Sequence, residues 1–308
     1  MNAALLLLTD SRLPAGGHAH SGGTERAIAS GAVHDVPSLA RFLRGRLHVA
    51  GTLSAALTAA AALQAAHPAA DPTRPPAAPR PGSATPAATP VLAARGVRPD
   101  AGGGAALEQP QPIGDAAAES KAVAGGGAAP EARHITGGAG WGGAAGSPWA
   151  RLDEEVDART ASPAQRDASR TQGRLLLRVA RRVWPSEVLD ELARDVPNPH
   201  HPLALGVAAH AAGATPEEAA MAAAYHAISG PATAAVRLLG LDPVAVHALL
   251  ADFAPDLAAV AAEACLAATS AFTDPAVPRW EALPAYSAPA LDLLAEQHMQ
   301  AEVRLFVS

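Results

Sequence analysis

An all-α fold, built as a single helical bundle, is what this sequence predicts, and three observations predict it. Alanine supplies much of the 49% hydrophobic fraction, while aromatics make up only 3%. That balance favours closely packed helices, because alanine is the best helix former and a poor strand residue. Helix starts with proline in the first turn recur along the chain. Apolar residues return with the helical period of about 3.6, and no alternating pattern marks a strand.

The elements follow in order. The opening "AALLLLTD" is a short apolar run, and "SRLPAGGHAHSGGTERA" follows it. Pro14 and Gly16-Gly17 end one element there, Ser21 is placed to cap the helix "GGTERAIASGA", and Gly31 ends that helix. Asp35 or Val36 precedes Pro37 at the start of a long helix whose stripe is Leu39, Phe42, Leu43, Leu47, Ala50, Leu53 and Leu57. From Pro68 to about Ser147, Pro, Gly and Ala dominate and aliphatic residues are sparse. Such a segment buries too little surface to offset its ordering entropy, so 67–147 is predicted to be a long disordered insertion. Residues 1–66 and 148–308 then form the two parts of one helical domain.

After the insertion, Ser162-Pro163 with Gln165 reads as a capped start with a capping box, and Thr215-Pro216 with Glu218 repeats it. Asp242-Pro243 starts a further helix, and Ser287 or Ala288 before Pro289 starts the last. Leu175, Leu176, Val179 and Val183 form one apolar stripe, with Arg174, Arg178, Arg181 and Arg182 largely off it. Val246, Leu249, Leu250 and Phe253 form another.

Composition narrows the function. The net charge of −6, from 23 basic and 29 acidic residues, argues against nucleic-acid binding, which needs a basic surplus or stripe. The single cysteine, Cys265, fits a reducing compartment and a buried structural role. The apolar run Ala3 to Leu8 is short for a signal peptide and has no basic leader, and "LSAALTAAAALQAA" is weakly apolar and short for a membrane span. These features predict a soluble cytoplasmic protein with no membrane partner.

The chemical candidates are weak one by one. The glycine-rich stretch lacks the Lys-Ser/Thr of a phosphate loop and the strand before it. His18 and His20 form an H-x-H pair, and His200-His201 a second, without a cysteine or acidic cluster at metal spacing nearby. No resident metal or cofactor is therefore expected; four histidines converging on one ion define the alternative, a helical histidine-dependent metal-binding protein. No nucleophile elbow is present, and a hydrolase built on Ser21 and His20 ranks last. Asp153-Glu154-Glu155 and Glu217-Glu218 read as solvated acidic starts of helices. No enzyme emerges, so a helical protein acting through its surfaces is the remaining reading.

Four separated stretches resemble one family. "LLLLTDSRLPAGGHAHSGGTERAIASGAV" is similar to the N-terminal signature of the urease accessory protein UreF family, through Asp10, Ser11, Leu13, Pro14, Gly16, His20, Ser21, Gly23 and Glu25. "RTASPAQRDASRTQGRLLL" matches a second motif through Arg166, Ser169 and Gly173, and "HHPLALG" a third through His201 and Gly206. The C-terminal "HMQAEVRLFVS" resembles the family ending through His298, Arg304, Leu305, Phe306 and Ser308. Departures are His18 where an aromatic is usual, Thr24 for leucine, Met299 for glutamate, and the junction at 236–247, which keeps Val236, Arg237 and Leu238 but loses the family's glutamines.

The resemblance implies a helical, commonly dimeric and non-catalytic scaffold for nickel insertion into urease. It implies UreD (also called UreH), the GTPase UreG and apo-urease as partners. His18, His20, Ser21, Glu25, Arg237, His298, Arg304 and Phe306 are the positions it implies for partner contact. Pro14, Gly16, Gly23, Arg166, Ser169, Gly173, His201 and Gly206 are its structural motif. Glu25, Arg166 and Ser169 read equally well as internal polar contacts that hold the bundle.

Overall fold

A helix that is apolar on every side must be surrounded, and α4 (Thr52–Ala66) is such a helix. Its residues Ala55, Ala56, Leu57 and Ala59 to Ala62 are fully buried. The computed structural model describes residues 3–10, 13–14, 20–67, 146–301 and 305–306. Within these, α4 packs against α8 (His201–Ala211), α9 (Pro216–Leu239) and α11 (Ala254–Ala271). The fold is all-α, with no strand among the described residues.

Alanine at the contacts lets helix axes approach closely, and two glycines take this further. A Cβ at Gly206 on α8 would strike the Thr58 carbonyl and lie 2.6 Å from the Ala61 Cβ. A Cβ at Gly173 on α6 (Pro163–Val183) would strike the Pro199 carbonyl and lie 2.7 Å from the His200 carbonyl carbon. Both motif glycines therefore sit where one backbone meets another, α8 on α4 and α6 on the loop before α8.

The first half of the long predicted helix is α3 (Val36–Arg46), started by an Asp35 capping box with Ser38. A π-helical segment, Leu47–Gly51, joins it to α4 without a break. The joined helix Val36–Ala66 has the length and hydropathy of a membrane span, longer than "LSAALTAAAALQAA" alone indicated, but 67% of its most apolar window is buried inside the bundle. It is the core helix.

The remaining elements are α1 (Ala3–Thr9), α2 (Thr24–Ala29), α5 (Pro148–Arg159), α7 (Glu187–Asp195), α10 (Pro243–Asp252), a single 3-10 turn at Trp280–Ala282, and α12 (Pro289–Met299). The Thr215–Glu218 capping box forms as expected, and Asp242 caps α10 through Val244 N and Ala245 N. Three local expectations are corrected. Ser21 does not cap α2; Gly23, in the left-handed region at φ 88°, occupies that position without a side-chain bond. Ser162 caps α6, but the Gln165 side chain turns to Asp292 instead of closing a box, because α12 packs there. The buried face of α6 is Gly173, Leu176, Leu177 and Ala180, while Val183 is 48% exposed. Cys265 on α11 is half-buried, and burial raises its thiol pKa. Apart from His67, Gly146 and Ser147, the insertion lies outside the described residues, as do Gly16, His18, Arg304 and Ser308.

Candidate functional site: a docked tail beside a histidine-lined cavity

The N-terminal and C-terminal motifs meet in space. Glu25, in the first turn of α2, faces the chain end, where its carboxylate accepts hydrogen bonds from Leu305 N at 2.9 Å and Phe306 N at 3.2 Å. His298, buried at the end of α12, places Nε2 3.1 Å from the Phe306 carbonyl. A carbonyl only accepts, so that nitrogen carries the proton and donates. Nδ1 then faces the Glu25 carboxylate at 3.6 Å. The Phe306 ring lies under the exposed Arg237 guanidinium at 5.8 Å from its centroid, a cation–π contact. Four of the residues singled out for partner contact, Glu25, Arg237, His298 and Phe306, thus form one latch that holds the chain end on the bundle.

Next to the latch is a cavity of about 450 Å³, lined by His20, Arg46, Ser169, His201 and His226 among others, with Phe306 at its edge. His201 and His226 are half-buried, each exposing an edge to the cavity while protein encloses the rest, and their rings lie 5.9 Å apart. Burial, then the neighbouring His226 and His20, pushes the His201 pKa down to about 3. Burial pushes His226 to about 4, against a hydrogen bond with the Leu8 backbone. Both rings are neutral at pH 7. Sequence reasoning missed His226 because it lies alone in the alanine-rich "AAAYHAISGPATAAV", with no motif around it.

Arg46 was missed as well, and it has a structural cause. Pro231, inside α9, has no N–H, so the Ala227 carbonyl one turn earlier loses its helical partner. Arg46 Nε fills that vacancy at 2.8 Å, and its Nη1 donates to the Gly22 carbonyl at 2.8 Å. Enclosure lowers the guanidinium pKa to about 10. The signal was present as a proline one turn inside an otherwise continuous helical pattern.

The middle motif builds a separate joint. Asp153, predicted to be a solvated helix start, lies in the second turn of α5 and is buried. It accepts from His200 N at 2.9 Å and from Arg170 Nη1 at 2.9 Å. Asp157, one turn on, bonds Arg170 Nη2 and faces His200 Nε2 at 3.0 Å. Burial, together with the Arg170 charge, lowers the His200 pKa. Burial pulls the Asp157 carboxyl upward, but His200 and Arg170 outweigh it and hold it below the usual range. Ser169 Oγ accepts from His201 N, and Arg166 donates to the Thr160 and Ala161 carbonyls.

The side-chain ligand atoms of Asp153, Asp157 and His200 lie within 4.8 Å of one another. An acidic pair at metal spacing therefore does accompany His200, contrary to the sequence expectation. The Arg170 guanidinium already bonds both carboxylates and supplies the positive charge that a cation would bring. The four-histidine convergence does not form: His200 turns into this joint, His201 lines the cavity, and His18 lies outside the described residues. The Ser21 hydroxyl is buried without a hydrogen bond, so no Ser21–His20 nucleophile–base contact exists.

Fold and site define a class: an all-helical bundle that holds residues 305 and 306 beside a histidine-lined cavity and ties Asp153, Asp157, Arg170 and His200 into a joint between helices. A family model described as UreF matches residues 127–254. The urease accessory protein UreF of Mycolicibacterium vanbaalenii is 34% identical to this chain over 306 residues, covering 99% of this chain and 98% of that relative. UreF of Mycobacterium marinum is 33% identical, and UreF of Mycobacterium tuberculosis H37Rv 31%, each covering 99% of this chain and 98% of the relative. The chain belongs to the UreF family of urease accessory proteins.

Proposed function

We propose that this chain is a cytoplasmic, non-catalytic scaffold that binds UreD (UreH) and the GTPase UreG on apo-urease and couples GTP hydrolysis to nickel insertion. Family membership supports the urease role, and the latch is the observation that carries the scaffold reading. The chain end is held by two backbone hydrogen bonds to Glu25, one from His298 and a ring contact with Arg237. Such a contact set is small enough to exchange for contacts on a partner, and it presents an aromatic and a cation of the kind that anchor interfaces. His18, Glu25, Arg237, Arg304 and Phe306 are the proposed partner-facing set, with the buried His20, Ser21 and His298 supporting it from beneath, in a homodimer whose working parts are residues 1–66 and 148–308. Residues 67–147 are dispensable to it.

Co-expression with UreD and UreG tests the reading. The full chain and a variant lacking 68–147 both co-purify with the two proteins, and Phe306→Ala weakens the complex about tenfold, or roughly 1.4 kcal/mol. Absence of any complex with the folded full chain overturns the scaffold role.

A further inference from the structure

The outer face of α6 carries a column of arginines that neither the latch nor the helical joints use. Arg174, Arg178 and Arg182 follow one another at four-residue spacing, with Arg181 beside them, and all four are exposed. On a helix that spacing stacks the side chains along one face over about 12 Å. Arg181 pairs with Asp190 of α7 at 2.7 Å. Arg174, Arg178 and Arg182 make no hydrogen bond or ion pair among the described residues. The column borders an open concavity of about 550 Å³ between α6 and α7, whose apolar floor is Ala193 and Pro197 with an edge of the largely buried Leu177.

Local stability does not account for this column. Like charges four apart on a helix repel each other. The helix dipole favours Arg181 and Arg182, which lie in the last turn, but its effect fades before Arg178 and Arg174. The chain as a whole is acidic, at −6, so this cationic face runs against the average charge. The apolar floor separates the surface from a plain phosphate-binding face: backbone phosphates need only the cations, whereas aliphatic side chains fill an apolar floor.

We propose that the α6–α7 concavity docks an acidic, aliphatic-bearing segment of a partner protein. Its carboxylates engage Arg174, Arg178 and Arg182 in forked hydrogen bonds, and an aliphatic residue covers Leu177, Ala193 and Pro197. The surface belongs to α6 and α7, whereas the latch draws on α2, α9 and α12, so partner exchange at the latch and docking here are separable.

Fluorescence anisotropy with a labelled synthetic helical peptide tests the proposal. The peptide carries glutamates at four-residue spacing beside leucines, and the probe is titrated with the full chain. Arg178→Glu combined with Arg182→Glu weakens binding about tenfold or more, and raised salt weakens binding to the unaltered chain. The melting temperature falls only slightly, through the reversed charge at the C-terminal turn of α6, since neither arginine has an ion-pair partner to lose. The paired Arg178→Gln, Arg182→Gln variant gives a smaller loss in the same direction and replaces the reversal variant if that one fails to fold. Equal peptide affinity in the unaltered and altered chains overturns the proposal. So does tighter, Arg178-dependent binding of a thymidine oligonucleotide or of phosphatidylserine vesicles than of the peptide.

Discussion

The centre of the bundle and its latch-and-cavity edge are both enclosed by protein, yet they are held by opposite means. At the centre, α4 meets α8 through alanines and Gly206, and among the described residues no side-chain hydrogen bond crosses the seam, so apolar close packing holds it. At the edge, Glu25, Arg46, His201, His226 and His298 hold carbonyls, amides and rings one at a time around a cavity. The first design fails when volume is added. The second fails when a proton or a single partner is changed. The centre therefore acts as a fixed frame, while the edge holds the parts that respond to pH and to single substitutions.

Adding volume at the centre is the most damaging way to break this contrast. Gly206→Leu, which must push α8 away from Thr58 and Ala61, lowers the free energy of unfolding in urea by about 3 kcal/mol or more. An unchanged midpoint refutes the close-packing account of the seam.

Acid comes next, and it acts on the edge. In the unfolded chain His201 and His226 take up protons near pH 6.5, but folded they resist until about pH 3 and about pH 4. Between pH 6.5 and about 4 the unfolded chain holds more protons on these two groups, so stability is full above that window and falls as the pH falls through it. Discounted for the edge that each ring exposes, the loss by pH 5 is on the order of 2 kcal/mol. Thermal melts of the chain and of a His201→Gln, His226→Gln variant measure it. The variant shows the shallower pH slope, and identical slopes contradict the assignment.

The smallest effect sharpens the contrast. Glu25→Gln removes the charged acceptor of Leu305 N and Phe306 N and leaves the core untouched. The global cost is about 1 kcal/mol or less, while hydrogen exchange at those two amides rises well above that of α4. Protection that persists at both amides would show that something other than Glu25 holds the tail.

The two regions also differ in how far the sequence discloses them. The centre is written in local terms: proline-led caps, an alanine-rich periodic run, and glycines inside helices. Thr215 and Asp242 were legible for that reason, and Asp35 as one of two candidates with Val36, since a cap involves residues two or three apart. The edge depends on residues distant in the chain. Glu25 bonds amides 280 and 281 positions away, and no spacing rule reaches that far; only the family resemblance flagged both ends. The Asp153–Asp157–Arg170–His200 joint was misread because an acidic run at a helix start is usually solvated. Here α6 and the loop before α8 close over the second turn of α5 and bury it. Ser21 failed as a cap for a similar reason: Gly22 and Gly23 turn the chain left-handed and carry the hydroxyl into the interior.

The proline within α9 has a consequence for how this chain tolerates change. By withholding one N–H, Pro231 leaves the Ala227 carbonyl for Arg46, a residue 181 positions earlier. Replacing Pro231 with alanine would restore the ordinary helical bond, and the guanidinium would share the Ala227 carbonyl with it. Replacing Arg46 would leave an enclosed carbonyl with no donor. The two changes together give the Ala227 carbonyl a conventional helical partner again, while the Gly22 carbonyl still loses its donor. Positions 46 and 231 are thus coupled: what the guanidinium is worth at the Ala227 carbonyl depends on whether residue 231 supplies an N–H.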